Sequence, residues 1–166
     1  MKIKRPFMLF QLAALFVFAG CPSPQSQRPG PSGQPVGMDL LAPGQPFPAN
    51  APVVLDVEYN NHSSAPVRIL DIRVLEGYPL YFDLIDSNGK RVPFLGPELS
   101  PKVNDSHYVA LKPGQTLRQQ YDLMSNGIGG KGYALAQPGT YEVTAIYEGH
   151  YGLAEIRSAP VKIVIK

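Results

Sequence analysis

Few side chains in these 166 residues combine a reactive type with a useful spacing, and the single cysteine, Cys21, comes first. A thiol attacks or ligates as the thiolate, which needs a cationic or basic partner held close by a fold. No charged residue lies between Arg5 and Arg28, so a nucleophilic role is set aside. The three histidines, His62, His107 and His150, are far apart and none is followed by Glu, so no HExxH pair of zinc ligands exists. Ser106 and His107 are adjacent, but neighbours on a strand point to opposite faces, and no G-x-S-x-G elbow accompanies them. Asp83, Asp86 and Asn88 begin like a calcium loop yet lack its later bidentate Glu. Gly127-Ile-Gly129-Gly-Lys-Gly132 satisfies G-x-G-x-x-G, but the six residues from Tyr133 to Pro138 are too short for the helix whose N-terminus would meet a phosphate. The expectation is a chain without a catalytic centre, a metal or a cofactor, and with three histidines at turns or strand ends.

The surroundings of Cys21 give it a different role. Lys2, Lys4 and Arg5 precede an apolar run from Phe7 to Phe18, and Ala19-Gly20 supply small residues before the cysteine. This is the layout of a secretory signal. A dozen residues of helix rise only about 18 Å, short of the roughly 30 Å hydrocarbon core of a bilayer. Phe18-Ala-Gly-Cys21 resembles the bacterial lipobox, with Phe18 where the pattern usually carries Leu. Residues 1–20 are therefore expected to be a lipoprotein signal peptide and Cys21 a lipidated N-terminus; the alternatives are an ordinary secreted protein and an uncleaved anchor. Pro22, rather than Asp, directly after the cysteine points to the outer membrane of a two-membrane cell envelope.

Cleavage after Gly20 would remove three of the 15 basic residues and none of the 13 acidic ones, leaving a formal charge of −1. So nearly neutral a chain, without an arginine-rich run, offers no electrostatic basis for binding nucleic acid. With no second cysteine, no internal disulfide is available and packing must supply stability. Pro22 to Pro35 contains five prolines, two glycines, three serines and three glutamines in 14 residues. Such a segment has almost nothing apolar to bury, so residues 21–35 read as a disordered, partly polyproline tether reaching some 40 Å when extended.

From Val36 to the end, short β-branched and aromatic runs are broken by Pro, Gly and Asn about every ten residues, as in an all-β sandwich or barrel. Val53, Leu55, Val57 and Tyr59 alternate with polar positions, so one face packs and the other meets water. The same period recurs in 117–123, 141–147 and 161–165. Between Val67 and Leu75 it slips phase, which implies a bulge near Ile69 and Leu70 or a strand buried on both sides. Asn88-Gly89 marks a hairpin between 81–85 and 90–94. Lys112-Pro-Gly-Gln115 and Gln137-Pro-Gly-Thr140 read as type II turns. Leu135, Pro138, Gly139 and Tyr141 look like the tyrosine corner of immunoglobulin-like sandwiches. Residues 36–166 are expected to form one immunoglobulin-like antiparallel β-sandwich of about eight strands, a single core's worth of chain.

Asn60-Asn-His-Ser63, Val67-Arg-Ile-Leu70, Leu75-Glu-Gly77, Asp86 to Gly89, Val92-Pro-Phe-Leu-Gly-Pro97, Tyr108-Val-Ala-Leu111, Pro113-Gly114, Asp122-Leu123 and Pro138-Gly-Thr-Tyr141 add a further likeness through their order. Over about 53–149 the chain resembles the immunoglobulin-like domain that precedes the catalytic domain of bacterial peptidyl-Lys metalloendopeptidases of the deuterolysin type. The resemblance implies an accessory module without the enzyme: a non-enzymatic domain that binds another protein, possible partners including a protease that it would inhibit. The lipid would supply the contact with the membrane. Candidate recognition loops are 96–106, 125–132 and 149–158, with His150, Tyr151 and Leu153 as the expected contact residues.

Overall fold

The structure, a computed structural model, describes residues 34–71, 79–97, 102–125, 132–150 and 152–166. Cys21, the signal segment, most of the tether and Tyr151 lie outside the described residues. Among those described, nine strands run in chain order: β1 (Val36–Leu41), β2 (Val54–Asn61), β3 (Val67–Leu70), β4 (Leu80–Asp86), β5 (Tyr108–Leu111), β6 (Thr116–Asp122), β7 (Gly139–Tyr147), β8 (Ile156–Arg157) and β9 (Val161–Ile165). One sheet has the order β1-β2-β6 and a second places β4 on one side of β7 with β8 and β9 on the other. The third is the pair β3-β5, and all the strand pairs are antiparallel.

The alternation read from β2 is realised: Val53, Leu55, Val57 and Tyr59 are all fully buried. They share one core with Leu84, Val143, Tyr147 and Ile163 of the second sheet and with Ile69, Leu70 and Leu111 of the third. Burying side chains of this size stabilises by about 1.5–3 kcal/mol each before the loss of chain entropy is counted. The phase slip at Ile69 and Leu70 now has a cause. The register of β3 against β5 is unbroken from Val67 to Leu70, and Ile69 and Leu70 both have no exposed surface, so this part of the strand is covered on both faces.

Two turns differ from expectation. At Asn88-Gly89 only the glycine has positive φ, 77°. Gly89 N donates to Asp86 O at 3.0 Å and Asp86 N to Lys90 O at 2.9 Å, so the hairpin turns through a tight bend closed by a left-handed glycine instead of two left-handed residues. Its second arm pairs with β4 through the Ile85–Arg91 bridge and then with Tyr133 through Phe94. Lys112–Gln115 has the expected form, with Gly114 at φ 72° and Gln115 N donating to Lys112 O at 3.0 Å. Gly139, by contrast, has φ 159° and already begins β7, so it is not the left-handed residue of a type II turn. The corner is tied instead by the Tyr141 hydroxyl, which donates to Gln137 O at 2.7 Å.

After β1 the chain crosses to the other sheet, where Phe47 pairs in parallel with Ile165. Just before it, the Gln45 side chain imitates a strand: Nε2 donates to Lys162 O at 3.0 Å and Oε1 accepts from Val164 N at 3.1 Å. Phe47 N continues the ladder to Val164 O. The outer border of β9 is thereby occupied along most of its length.

Candidate functional site

The three candidate loops leave the body at two different ends. Tyr147, the last residue of β7, packs edge-on to Tyr59 near the end of β2, with ring centroids 5.5 Å apart, so the 149–158 segment departs beside the end of β2. The stem of the 125–132 loop lies at the other end: Gly132 N donates to Met124 O, Tyr133 N to Leu123 O, and Leu123 N to Val53 O. From Val53 to Tyr59 an extended chain covers about 20 Å. The stems of the two loops therefore lie at different ends of β2.

The 149–158 segment is also less free than its sequence suggests. Ile156 and Arg157 pair with Tyr147 and Ile146 as β8. Leu153 is half-buried against the core, and its amide donates to His150 O at 3.1 Å across a bend at Gly152. A Cβ at Gly149 would lie 2.2 Å from Leu153 O, so the backbone folds back on itself there. His150 is half-buried at this end. Of the expected contact residues, Leu153 is largely occupied with packing.

In the 96–106 loop, a short 3-10 turn over Asp105–His107 takes up the Ser-His pair. Asn104 Oδ1 accepts from Ser106 N and Oγ, while His107 Nδ1 accepts from Asn104 N. Both side chains thus serve a reciprocal cap, on a turn and not on the strand that the sequence implied. Arg68 fastens the same turn to β3, bonding Asp105 Oδ1 at 3.1 Å and lying 4.5 Å from the Tyr108 ring centroid.

The carboxylates of the first hairpin are engaged too. Asp86 Oδ1 accepts from Asn88 N and Lys90 N, and the Lys90 amide is the main reason its pKa is lowered. Asp83 pairs with Arg91 at 2.8 Å. On β2, Asp56 is 1% exposed and held by Arg118, whose hydrogen bond lowers its pKa against the upward push of burial. Among the described residues no group of three His, Cys, Asp or Glu side chains is arranged to hold a metal. Of the glycine-rich string, 127–131 lies outside the described residues, and Gly132 has a packing reason: a Cβ there would sit 2.3 Å from Leu123 O.

Two features escaped the sequence reading. Phe94 and Leu95 are 40% and 53% exposed, next to the 125–132 stem: Leu95 N donates to Gly132 O, and the Phe94 ring lies 5.1 Å from that of Tyr133. Their signal in the sequence is an apolar doublet between Pro93 and Pro97, of which Phe94 falls at the end of the expected hairpin arm and Leu95 just beyond it. The other is a buried polar group in which Gln119 Nε2 donates to Asp71 Oδ1 at 2.7 Å and Leu70 N to the Tyr147 hydroxyl at 3.0 Å. Gln119 falls in phase with Leu117 and Tyr121, and that polar residue at a core position was the clue.

No helix among the described residues is long and apolar enough to cross a membrane. Among protein-family models none matches this chain, and comparison with curated proteins likewise finds no match.

Proposed function

We propose that the chain is a bacterial cell-envelope lipoprotein, anchored through Cys21, whose immunoglobulin-like β-sandwich is a non-enzymatic module that binds another protein. The sandwich reading is supported by the Tyr141–Gln137 corner and by the crossing from β1 to a parallel contact with β9. The order of motifs shared with the domain preceding deuterolysin-type protease domains agrees with it.

The observation that carries the binding role is where apolar surface is left exposed. Pro35 O accepts from His62 N and Gln34 Nε2 donates to Glu155 O, so the tether reaches the body at the end where β2 and β7 finish. Phe94 and Leu95 lie by the stem at the opposite end. A body held off a bilayer by a tether of some 40 Å would present that doublet outward, where apolar side chains beside a loop serve recognition. The preferred contact residues thus shift from His150, Tyr151 and Leu153 to Phe94 and Leu95.

The test is capture by the lipidated protein from envelope extracts, compared with a Phe94→Ser/Leu95→Ser variant. A partner retained by the parent and lost by the folded variant is expected, and equal capture by both refutes the assignment. Should the partner be a peptidase, loss of its activity on adding residues 36–166 would make the module an inhibitor. Anchoring is tested separately: Cys21→Ser should move the protein from the detergent phase to the aqueous phase, and unchanged partitioning would refute it.

A further inference from the structure

We infer that the core holds one ordered water, bound between the Tyr59 hydroxyl and the Gln119 side-chain carbonyl. Tyr59 is fully buried, Gln119 is 2% exposed, and Tyr59 Oη and Gln119 Oε1 have no hydrogen-bond partner among the described residues. Roughly nine in ten buried polar atoms in proteins have a hydrogen-bond partner, and ordered water is the usual one where the protein supplies none.

The two atoms belong to one neighbourhood. Tyr59 opposes Leu117 and Val57 opposes Gln119, so Tyr59 and Gln119 are diagonal neighbours on the core face of β2 and β6. Such diagonal pairs are about 7–8 Å apart at the backbone, within reach of long side chains. The field of Asp71 reaches both: its carboxylate takes the Gln119 Nε2 donor, and it contributes to holding the Tyr59 phenol neutral, after the larger effect of burial.

The chemistry selects water over an ion. An Asp71 carboxylate only accepts, so it fixes the Gln119 amide with Nε2 toward Asp71 and Oε1 turned away. What remains is a hydroxyl needing an acceptor and a carbonyl needing a donor. A water provides both at once, accepting from Tyr59 and donating to Gln119. A cation would satisfy the carbonyl but give the phenol hydrogen nowhere to go. The site also has a structural use, because Asp71 is the residue from which the chain leaves β3 toward 72–78, and the network ties it to β6.

The experiment uses the folded 36–166 portion within the full mature chain. Water–protein NOEs should reveal a long-lived water close to the Tyr59 ring and the Gln119 side-chain amide. Tyr59→Phe should abolish that signal and raise the unfolding equilibrium constant about five-fold, the equivalent of one lost hydrogen bond. Absence of the NOE in the parent overturns the inference. A Tyr59→Phe chain as stable as the parent or more so does the same, because deleting an unsatisfied hydroxyl relieves its desolvation. A parent whose stability depends on sodium or potassium, compared with tetramethylammonium at equal ionic strength, would identify a cation and also overturn it.

Discussion

Asn61 is the residue whose replacement should cost most for its size. It is 1% exposed at the end of β2, and its side chain is fully engaged. Nδ2 donates to Leu111 O and Ala65 O, both at 2.9 Å, while Oδ1 accepts from Ser63 N at 2.9 Å and Ser63 Oγ at 2.7 Å. One amide thus joins β2, the 62–66 turn and the end of β5. In Asn61→Ala, the one Ser63 hydroxyl hydrogen is free to go to Ala65 O and half-exposed Ser63 can turn its amide to water, while Leu111 O keeps its ladder contact with Val67 but loses the second donor at a buried position. A lost bond is worth about 0.5–1.5 kcal/mol, so the two bonds to Leu111 O and Ser63 N that nothing replaces inside the protein amount to roughly 1–3 kcal/mol. For a domain of this size that is a fall in Tm of about 4–15 °C. Urea and thermal unfolding followed by tyrosine fluorescence suits a chain with nine tyrosines and no tryptophan. Asn61→Asp sharpens the test. It keeps Oδ1 but aims a second oxygen at two carbonyls, so its folded-state pKa must be raised and its deficit must shrink as the pH falls through that raised value toward 4. A drop of under about 0.5 kcal/mol in Asn61→Ala, within the range of ordinary surface changes, would refute the reasoning. An Asp variant with no pH dependence between 4 and 7 would refute it too.

Other perturbations have defined directions. Asp56 and Asp86 have lowered folded-state pKa values, so their contribution is present above the unfolded carboxylate pKa and lost as the pH falls through the lowered values. Stability should therefore decline below about pH 4, and Asp86→Asn should differ from the parent at pH 7 but converge with it near pH 2. Tyr59 and Tyr133 are raised chiefly by burial, so their contribution is full below the unfolded phenol pKa and lost above it. Alkaline titration should show phenolate absorbance rising together with unfolding above about pH 10, and early ionisation of all nine tyrosines in a folded chain would contradict this. Gly132→Ala should destabilise by about 1–3 kcal/mol because its Cβ meets the Leu123 carbonyl, whereas Gly89→Ala, with open space around it, should suffer only the strain of positive φ.

Periodicity made β2, β7 and β9 legible, since Val53 to Tyr59, Tyr141 to Tyr147 and Val161 to Ile165 each bury their alternate apolar residues, with Ile146 buried out of phase on the other face of β7. It could not reveal β8, whose two residues are too few to show a period. Nor could it show that Gln119 lies inside, because a buried amide depends on Asp71, 48 residues away in sequence. Turn positions were read correctly from Gly and Pro, but turn type follows from the flanking ladder, which is why Gly139 became strand. The candidate loops are legible as the stretches between strand-like runs. Whether a gap is free or strapped down depends on distant partners such as Arg68 for Asp105, and those do not show in local composition.

The amide of Gln45 has a bearing beyond the strand it borders. Were the chain anchored on a membrane as proposed, its copies would meet repeatedly side by side, and an unguarded ribbon border would let one copy extend the next. Here the last border residues find their donor and acceptor already taken by a side chain of the same molecule. Crowding can bring such bodies together along this border without splicing them.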